Sequence, residues 1–294
     1  MANLKAIRNR ITSVKSTRQI TSAMKMVSAA RLRKAQDRIV QLRPYANKLR
    51  DILSGLARSL EDIGQASPYS RKVDPDKVLI VVITSNRGLC GGFNANVIRE
   101  VRRLITEDYA QQFKKGNVAF AAIGKKGFDY VRRLDNVVVE EYNHLYTKLG
   151  FETVTRLASA IMADFVCDRV HKVVLVYNQF KNAAVQNLTT ENFLPIEMDK
   201  TDGSKHDVLD YIYEPSRAEI VNELIPRSLK IQFYKAILDS FAAEHGARMT
   251  SMHTATENAT SLVRSLTLEY NKARQASITS QILEVVSGAE ALKG

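Results

Sequence analysis

Apolar residues at alternating spacings of three and four dominate the first sixty residues of the 294-residue chain. Starting at Leu4 and ending at Ile63, fourteen of the eighteen positions reached in this way are apolar. This spacing is typical of a coiled-coil seam, so it predicts one long helix that supercoils left-handedly around a partner helix. Pro44 is expected to kink this helix or to lie where it turns outward.

The seam contains one polar stretch. Its four polar positions are consecutive in the repeat: Arg18, Thr21, Lys25 and Ser28. Over the same stretch an apolar stripe lies one residue earlier: Ile20, Met24 and Val27. Because packing alone would favour apolar residues in the seam, we expect the stripe to shift here and the polar positions to serve a partner protein.

The pattern changes between residues 77 and 213. Apolar runs typical of strands cover 78–84, 117–124, 136–142 and 171–180. They alternate with helical stretches near 94–112, 125–133 and 152–169. This alternation predicts an α/β layer domain with a mainly parallel sheet, and residues 183–213 are predicted to add further strands to it.

The C-terminal region begins with a capping box formed by Ser216 and Glu219, directly after Pro215. Pro226 is expected to break or restart the helix, and no further proline follows. A helix of about sixty residues is on the order of 90 Å long, which exceeds an ordinary globular domain. Coiled-coil spacing returns near its end: Ala255, Ala259, Leu262 and Leu266.

Only the two terminal helices are long enough to pair with each other. The predicted fold class is therefore α/β, with a long antiparallel coiled coil of the N- and C-terminal helices and an inserted Rossmann-like α/β domain. The segments are an N-terminal coiled-coil helix at 1–64, an α/β domain at 77–213 and a C-terminal coiled-coil helix at 216–287.

The net charge of +12 is concentrated in the N-terminal helix. Residues 1–60 hold 14 Lys and Arg against Asp37 and Asp51, while the other residues sum to zero. Such a basic stripe requires an acidic partner, which could be a nucleic acid, an anionic lipid or an acidic protein surface. Tyr45 is the single aromatic residue of this segment, which weakens the nucleic-acid alternative without removing it.

Little in the sequence indicates a membrane span, a metal site or a cofactor. No apolar stretch is long enough to cross a bilayer, and the N-terminus lacks an apolar signal region, so we expect a protein kept in the cytosol. Cys90 and Cys167 are expected to be reduced thiols. His245 and His253 are eight residues apart on one helix, too far for one metal ion, and are expected on a polar face.

The sequence SNRGLCGGFN at 85–94 joins a strand to a helix, the place where many proteins bind phosphate. Its glycines fit neither the P-loop nor the dinucleotide-binding spacing. We therefore expect a tight turn with Asn94 or Asn96 as the helix N-cap. An α/β enzyme that binds a nucleotide at 85–94 remains the alternative, although no catalytic group of residues is apparent.

Three motifs in order resemble the gamma subunit of the F-type ATP synthase. They are TSAMKMVSAARLRKAQ at 21–36, SNRGLCGGFN at 85–94 and EYNKARQASITSQILEVVSGAEAL at 269–292. Together they extend the resemblance over essentially the whole chain. Asn86 stands where an acidic residue is frequent in the family and Gln281 where Glu is frequent, which puts in doubt any polar contact specific to those two positions.

The resemblance implies a rotor without a catalytic site or cofactor of its own. Its partners would be the hexamer of alpha and beta subunits, the epsilon subunit and the membrane c-ring, and it would bind no nucleic acid. Proton-driven rotation of the ring would turn the coiled coil, and ATP would be made in the beta subunits. In a bacterial member the location would be the cytoplasmic face of the plasma membrane, as a peripheral protein.

The resemblance also implies interface residues. On the N-terminal helix, Arg31, Arg33 and Lys34 would meet acidic levers of the beta subunits, with Met24 in the shared motif. In the glycine loop, Arg87 and Cys90 would lie at the surface near those levers.

At the C-terminal end, Arg274, Gln275 and Thr279 would contact loops of the beta subunits. The apolar residues between and after them repeat at helical spacing and would face the N-terminal helix or an apolar sleeve of the hexamer: Ile278, Ile282 and Val285.

Overall fold

The computed structural model describes residues 4–58, 68–71, 74–134, 138–146, 149–196 and 217–291. The α-helices of these ranges are α1 (Leu4–Arg58), α2 (Phe93–Arg103), α3 (Ala110–Lys114), α4 (Lys125–Val131), α5 (Phe151–Val166) and α6 (Arg217–Ala291). The strands are β1 (Val78–Ile83), β2 (Val118–Ile123), β3 (Val138–Glu141), β4 (Lys172–Phe180) and β5 (Gln186–Leu194). A π-helical turn, Leu104–Asp108, follows α2, and short 3₁₀ turns cover Pro68–Ser70 and Asn143–Tyr146.

The two long helices are continuous. α1 has 55 residues and includes Pro44, while α6 has 75 residues and includes Pro226. The break or restart predicted at Pro226 is therefore wrong: α6 is continuous through this residue, where the burial of Ile225 and Leu229 offsets the loss of one backbone hydrogen bond. Ser216, the first residue of the predicted capping box, lies outside the described residues.

The chain divides into two compact units, one formed by Met1–Ser28 with Arg248–Gly294 and the other by Ala29–Ala247. In the first unit α1 and α6 are antiparallel, because Thr21 contacts Thr256 whereas Lys25 contacts His253. The predicted fold class is confirmed. The boundaries of the three predicted segments stay a prediction, since the compact units cut across both long helices.

The second unit contains one five-stranded sheet in the order β3-β2-β1-β4-β5. The first four strands are parallel and β5 pairs antiparallel with β4. Every residue of β1 is buried, as expected for a central parallel strand covered on both faces. The extra strand predicted after residue 183 is confirmed for β5, while residues 197–213 lie outside the described residues.

The sheet core explains why the glycine after β2 is required. Ile80, Val82 and Phe120 pack with Val97 and Val101 of α2 on one face. At the end of β2, Gly124 has φ +107°, and a Cβ there would lie 2.1 Å from the carbonyl oxygen of Thr84. The chain can therefore enter α4 this close to β1 only with glycine.

Candidate partner interface

The polar stretch of the seam faces α6 in the first unit. Thr21 and Ser28 are both buried. The Thr256 hydroxyl donates to the Thr21 hydroxyl oxygen over 2.8 Å, and Nζ of Lys25 lies 3.5 Å from Nδ1 of His253. The seam therefore continues through this stretch with hydroxyl and amine groups where apolar side chains were expected.

The predicted shift of the apolar stripe is correspondingly wrong. Ile20 is 61% exposed and Val27 is 54% exposed, while Met24 is half-buried. α1 keeps its register because the buried hydroxyls find acceptors nearby: Ser28 donates to the carbonyl of Met24 over 2.8 Å, and Thr21 donates to that of Arg18 over 3.0 Å. The apolar stripe is therefore what α1 presents to solvent here.

The basic residues predicted to meet a partner on α1 lie in the second unit. Arg31, Arg33 and Lys34 are all exposed. Leu32 and Ala35, which alternate with them, are buried. The helix period thus separates a packing face from a charged face, and the contacts of the charged face with a partner stay a prediction.

Side chains at both ends fix the glycine loop, Ser85–Gly92. The Ser85 N–H donates to Oδ1 of Asn94 over 3.0 Å, and Nδ2 of Asn94 lies 2.8 Å from the Ser85 hydroxyl and 3.2 Å from Sγ of Cys90. Asn94 therefore folds back on the loop from inside α2. The predicted N-cap role of Asn94 or Asn96 is wrong, because Gly92 is the N-cap and no side chain caps the helix.

Asn86 ties together the loops that follow three parallel strands. Its Oδ1 accepts the N–H of Lys125 over 3.0 Å, and its Nδ2 donates to the carbonyl of Asn143 over 3.2 Å. These loops lie at the carboxyl edge of the sheet, where α/β folds usually bind ligands. Both functional groups of this amide are thus engaged by the chain itself, which favours a structural turn over a nucleotide site.

Cys90 is buried, so the surface position predicted for it is wrong. It is 1% exposed and packs with Phe93 and with Ala243 and Ala247 of α6. Leu89 just before it is 66% exposed. The reason is the backbone, since the positive φ angles of Leu89 (63°) and Gly91 (58°) turn the thiol inward and the leucine outward. Arg87 is exposed, and its contact with a partner stays a prediction.

The predicted interface residues near the C-terminus share an exposed stretch of α6. Arg274, Gln275 and Thr279 are all exposed, and the Thr279 hydroxyl donates to the carbonyl of Gln275 over 3.0 Å. The apolar residues of this stretch are exposed as well: Ile278, Ile282 and Val285. Among the described residues the N-terminal helix does not cover them, so of the two surroundings predicted for them the sleeve of a partner remains.

A buried polar junction between α6 and the sheet was not predicted. The Tyr177 hydroxyl donates to Oε2 of Glu191 over 2.8 Å, and Gln232 donates to Oε1 over 2.7 Å. Asp239 is buried nearby, and this burial raises its pKa to about 6, against the lowering influence of Lys235 and Arg43. Burial also raises the pKa of Tyr177 above its ordinary value. Nothing in the local sequence shows that these groups meet.

The two histidines of α6 have different surroundings. His253 is half-exposed, with Nε2 3.5 Å from Oε1 of Glu257. His245 is buried, and its ring lies edge-on to Phe241 with 4.5 Å between centroids. The polar-face interpretation is therefore wrong for His245. Within the described ranges, no three His, Cys, Asp or Glu side chains are grouped as a metal site requires.

We also searched the described helices for a membrane-spanning segment. None of them combines the length and the apolar content that crossing a bilayer requires.

Comparison with known proteins gives matches over the full length. A family model described as ATP synthase matches residues 3–292. The ATP synthase gamma chains of Flavobacterium johnsoniae and Christiangramia forsetii are 55% and 52% identical to the chain, covering 100% of each sequence. Among solved structures, a chain of the mitochondrial ATP synthase rotor of Euglena gracilis matches with a TM-score of 0.61 at 20% identity, covering 94% of this chain and 98% of that one.

Proposed function

The chain belongs to the ATP synthase gamma chain family, and from that premise we propose that it is the central rotor shaft of an F-type ATP synthase. Proton flow turns the membrane c-ring, and the shaft turns with it inside the hexamer of alpha and beta subunits. The asymmetric surface of the shaft then drives the beta-subunit sites through their binding states. The epsilon subunit and the ring bind the α/β domain.

The observation that carries this proposal is the uncovered end of α6. Thr21 pairs with Thr256, and about seventeen residues separate Thr21 from Leu4, the start of α1. In an antiparallel pair, Leu4 therefore lies opposite about residue 273, and within the described ranges no part of α1 lies opposite the rest of α6, which continues to Ala291. A single helix that exposes apolar residues in water is stable only when something else covers it. The hexamer of the proposed complex supplies that cover.

The charged contacts fit a surface that must bind and release with each turn. Arg31, Arg33 and Lys34 are exposed, and exposed ion pairs contribute at most about 1 kcal/mol each. Weak pairs with acidic levers of the beta subunits can form and break without trapping the rotor. Met24 and Arg87 would each contact the hexamer as well, and Arg274, Gln275 and Thr279 would contact beta-subunit loops near the tip.

The chemistry of ATP belongs to the beta subunits in this proposal, and the chain has no catalytic site of its own. The engaged amide of Asn86 and the interlocked pair Ser85 and Asn94 support that assignment. The relatives named above are bacterial, which supports a location at the cytoplasmic face of the plasma membrane as a peripheral subunit.

A rebuilt complex tests this function. The chain, with Arg31, Arg33 and Lys34 replaced by Gln, is assembled with alpha, beta, epsilon and the membrane sector, and ATP-driven proton pumping is measured. We expect reduced pumping with the helix content of the chain unchanged, because the substitutions remove exposed charges and leave the buried face of α1 intact. A matched variant with Lys114, Arg156 and Arg169 changed to Gln, all exposed elsewhere, should pump normally.

Two results would contradict parts of the proposal. One is unchanged pumping by the first variant, which would contradict the role given to Arg31, Arg33 and Lys34 in the coupling. The other is micromolar ATP binding by the isolated chain, measured by calorimetry and abolished by Gly91→Val, which would favour the nucleotide-binding alternative.

A further inference from the structure

We propose that Leu89 is the side chain through which the glycine loop binds the hexamer. Cys90 serves only to anchor the loop within the chain. This inference rests on the proposed function and deepens it. The sequence placed Cys90 at this contact, and the inference assigns the contact to the neighbouring Leu89 instead. The partner surface would be an apolar recess bordered by carboxylates.

The loop holds Leu89 in one place. Ser85 and Asn94 interlock at its ends, Cys90 is buried against Ala243 and Ala247, and the carbonyl of Phe93 accepts Nδ2 of Asn178 over 3.0 Å. A side chain on such a frame is presented in a fixed direction. It therefore loses little conformational entropy when a partner covers it.

The backbone at Leu89 is strained, and although this conformation turns Cys90 inward, it does not bury the leucine side chain within the chain. Its φ of 63° is costly for a residue with a Cβ, whereas glycine adopts this angle freely. Asp168 is the other non-glycine residue with positive φ in the described ranges, and a short polar side chain tolerates this conformation better. Since Leu89 is mostly exposed, no burial within the chain offsets the strain. An exposed apolar residue such as Val185 lacks this strain.

The neighbouring charge indicates the chemistry of the partner. Arg87 is exposed two residues before Leu89. A rigid leucine beside a guanidinium fits a pocket that buries the leucine at its centre, away from water, and offers carboxylates at its rim to complement the charge. Under the proposed function, the acidic levers of the beta subunits provide such a rim.

The test separates a contact role from a structural one. The full chain with Leu89→Gly is compared with wild type in thermal melting and in its dissociation rate from the alpha–beta hexamer. We expect a melting temperature that does not fall, because the strain is relieved and no buried contact is lost. The dissociation rate should rise roughly tenfold or more, as expected when an apolar anchor is removed. Leu89→Asn, which tolerates the same backbone, should also dissociate faster.

Controls distinguish the alternatives. Asp168→Gly relieves the same kind of strain and should leave the dissociation rate unchanged. Phe93→Ala removes a buried anchor of the loop and should lower the melting temperature. If Leu89→Gly melts lower and dissociates at the wild-type rate, Leu89 is structural and this inference is overturned, while the proposed function stands. If the wild-type chain fails to bind the hexamer, the proposed function itself is overturned.

Discussion

Two stretches of α6 are both rich in apolar residues but have opposite surroundings. Between Ala236 and Ala247 every position except the half-buried Phe241 is buried, including polar ones such as Ser240. Between Ile278 and Val286 every large apolar side chain is exposed, with Val285 at 72%. Burial by its own domain explains the first stretch, whereas the second requires a partner. The same helix therefore contributes to folding in one stretch and, under the proposed function, to assembly in the other.

The largest expected effect comes from the buried end. Phe233 is fully buried, and its ring lies 5.4 Å from that of Phe193 on β5. Phe233→Ala should lower the free energy of unfolding by about 3–5 kcal/mol, because it removes apolar contact and leaves a cavity. Denaturant unfolding of the isolated chain measures this. Val285→Ala is the matched control and should change it by less than about 0.5 kcal/mol. If Phe233→Ala and Val285→Ala lowered the unfolding free energy equally, the two stretches of α6 would not differ in their contribution to folding.

A smaller effect should depend on pH. The carboxyl of Asp239 has its pKa raised to about 6 by burial, above the value near 4 of an unfolded chain. The folded state therefore binds more protons than the unfolded state between pH 4 and 6. The contribution of Asp239 to stability is therefore greatest below pH 4 and falls by about 3 kcal/mol as pH rises through 6. Unfolding of wild type at several pH values measures this change.

Asp239→Asn provides the control for that titration. The amide keeps the shape and does not ionise, so the difference in unfolding free energy between variant and wild type should grow in favour of the variant from pH 4 to pH 7. The groups that act on Asp239 are Lys235 on its own helix, Arg43 on α1, and Glu191 and Tyr177 on the sheet. A difference that stays constant over this range would show that Asp239 keeps an ordinary pKa.

The polar seam should give a change of about 1 kcal/mol. Thr21→Val removes a buried hydroxyl that donates to the Arg18 carbonyl and accepts from Thr256, with little change of volume. We expect the unfolding free energy of the isolated chain to fall by that amount. Ile20→Val, on the exposed face, is the matched control and should have no measurable effect. If Ile20→Val lowered the unfolding free energy more than Thr21→Val, the shifted apolar stripe, and not the polar seam, would be the face that packs against α6.

The smallest effect on the chain itself should come from the exposed end. Replacing Ile282 and Val285 by Ser should leave the unfolding free energy within about 0.5 kcal/mol of wild type. The rebuilt complex should nevertheless dissociate more readily, because the partner loses apolar contact. Arg274→Ala with Gln275→Ala should instead lower ATP turnover with assembly preserved. If the serine variant destabilises the isolated chain, the exposed end packs against the chain rather than a partner.

The sequence was sufficient for the elements and their order. Fully apolar runs such as 78–83 predict buried parallel strands, and the three-four repeat predicts the long helices, because both patterns express burial directly. Which way each side chain of the predicted interface faces was harder to predict. Thr21 was assigned to a partner protein because packing alone favours apolar residues in a seam, but Thr256, which is 235 residues later in the chain, provides its hydrogen-bond partner.

The prediction that Cys90 of the glycine loop lies at the surface failed for a different reason. Leu89 and Cys90 are adjacent apolar residues, and which of them faces inward depends on the sign of φ at Leu89. Propensity argues against a leucine with positive φ, so no rule from sequence would have selected it. The buried junction at Asp239 was also inaccessible, because it joins α1, α6 and two strands that only the fold brings together.

The side chain of Asn86 has a consequence for how the α/β domain responds to its surroundings. The amide makes one hydrogen bond as acceptor and one as donor. A carboxylate could accept the N–H of Lys125 but could not donate to the carbonyl of Asn143. Being uncharged, the amide neither titrates nor attracts counterions. The two hydrogen bonds by which Asn86 joins the three loops therefore do not depend on the protonation of this side chain. This junction is for that reason insensitive to the proton gradient that the proposed motor exploits.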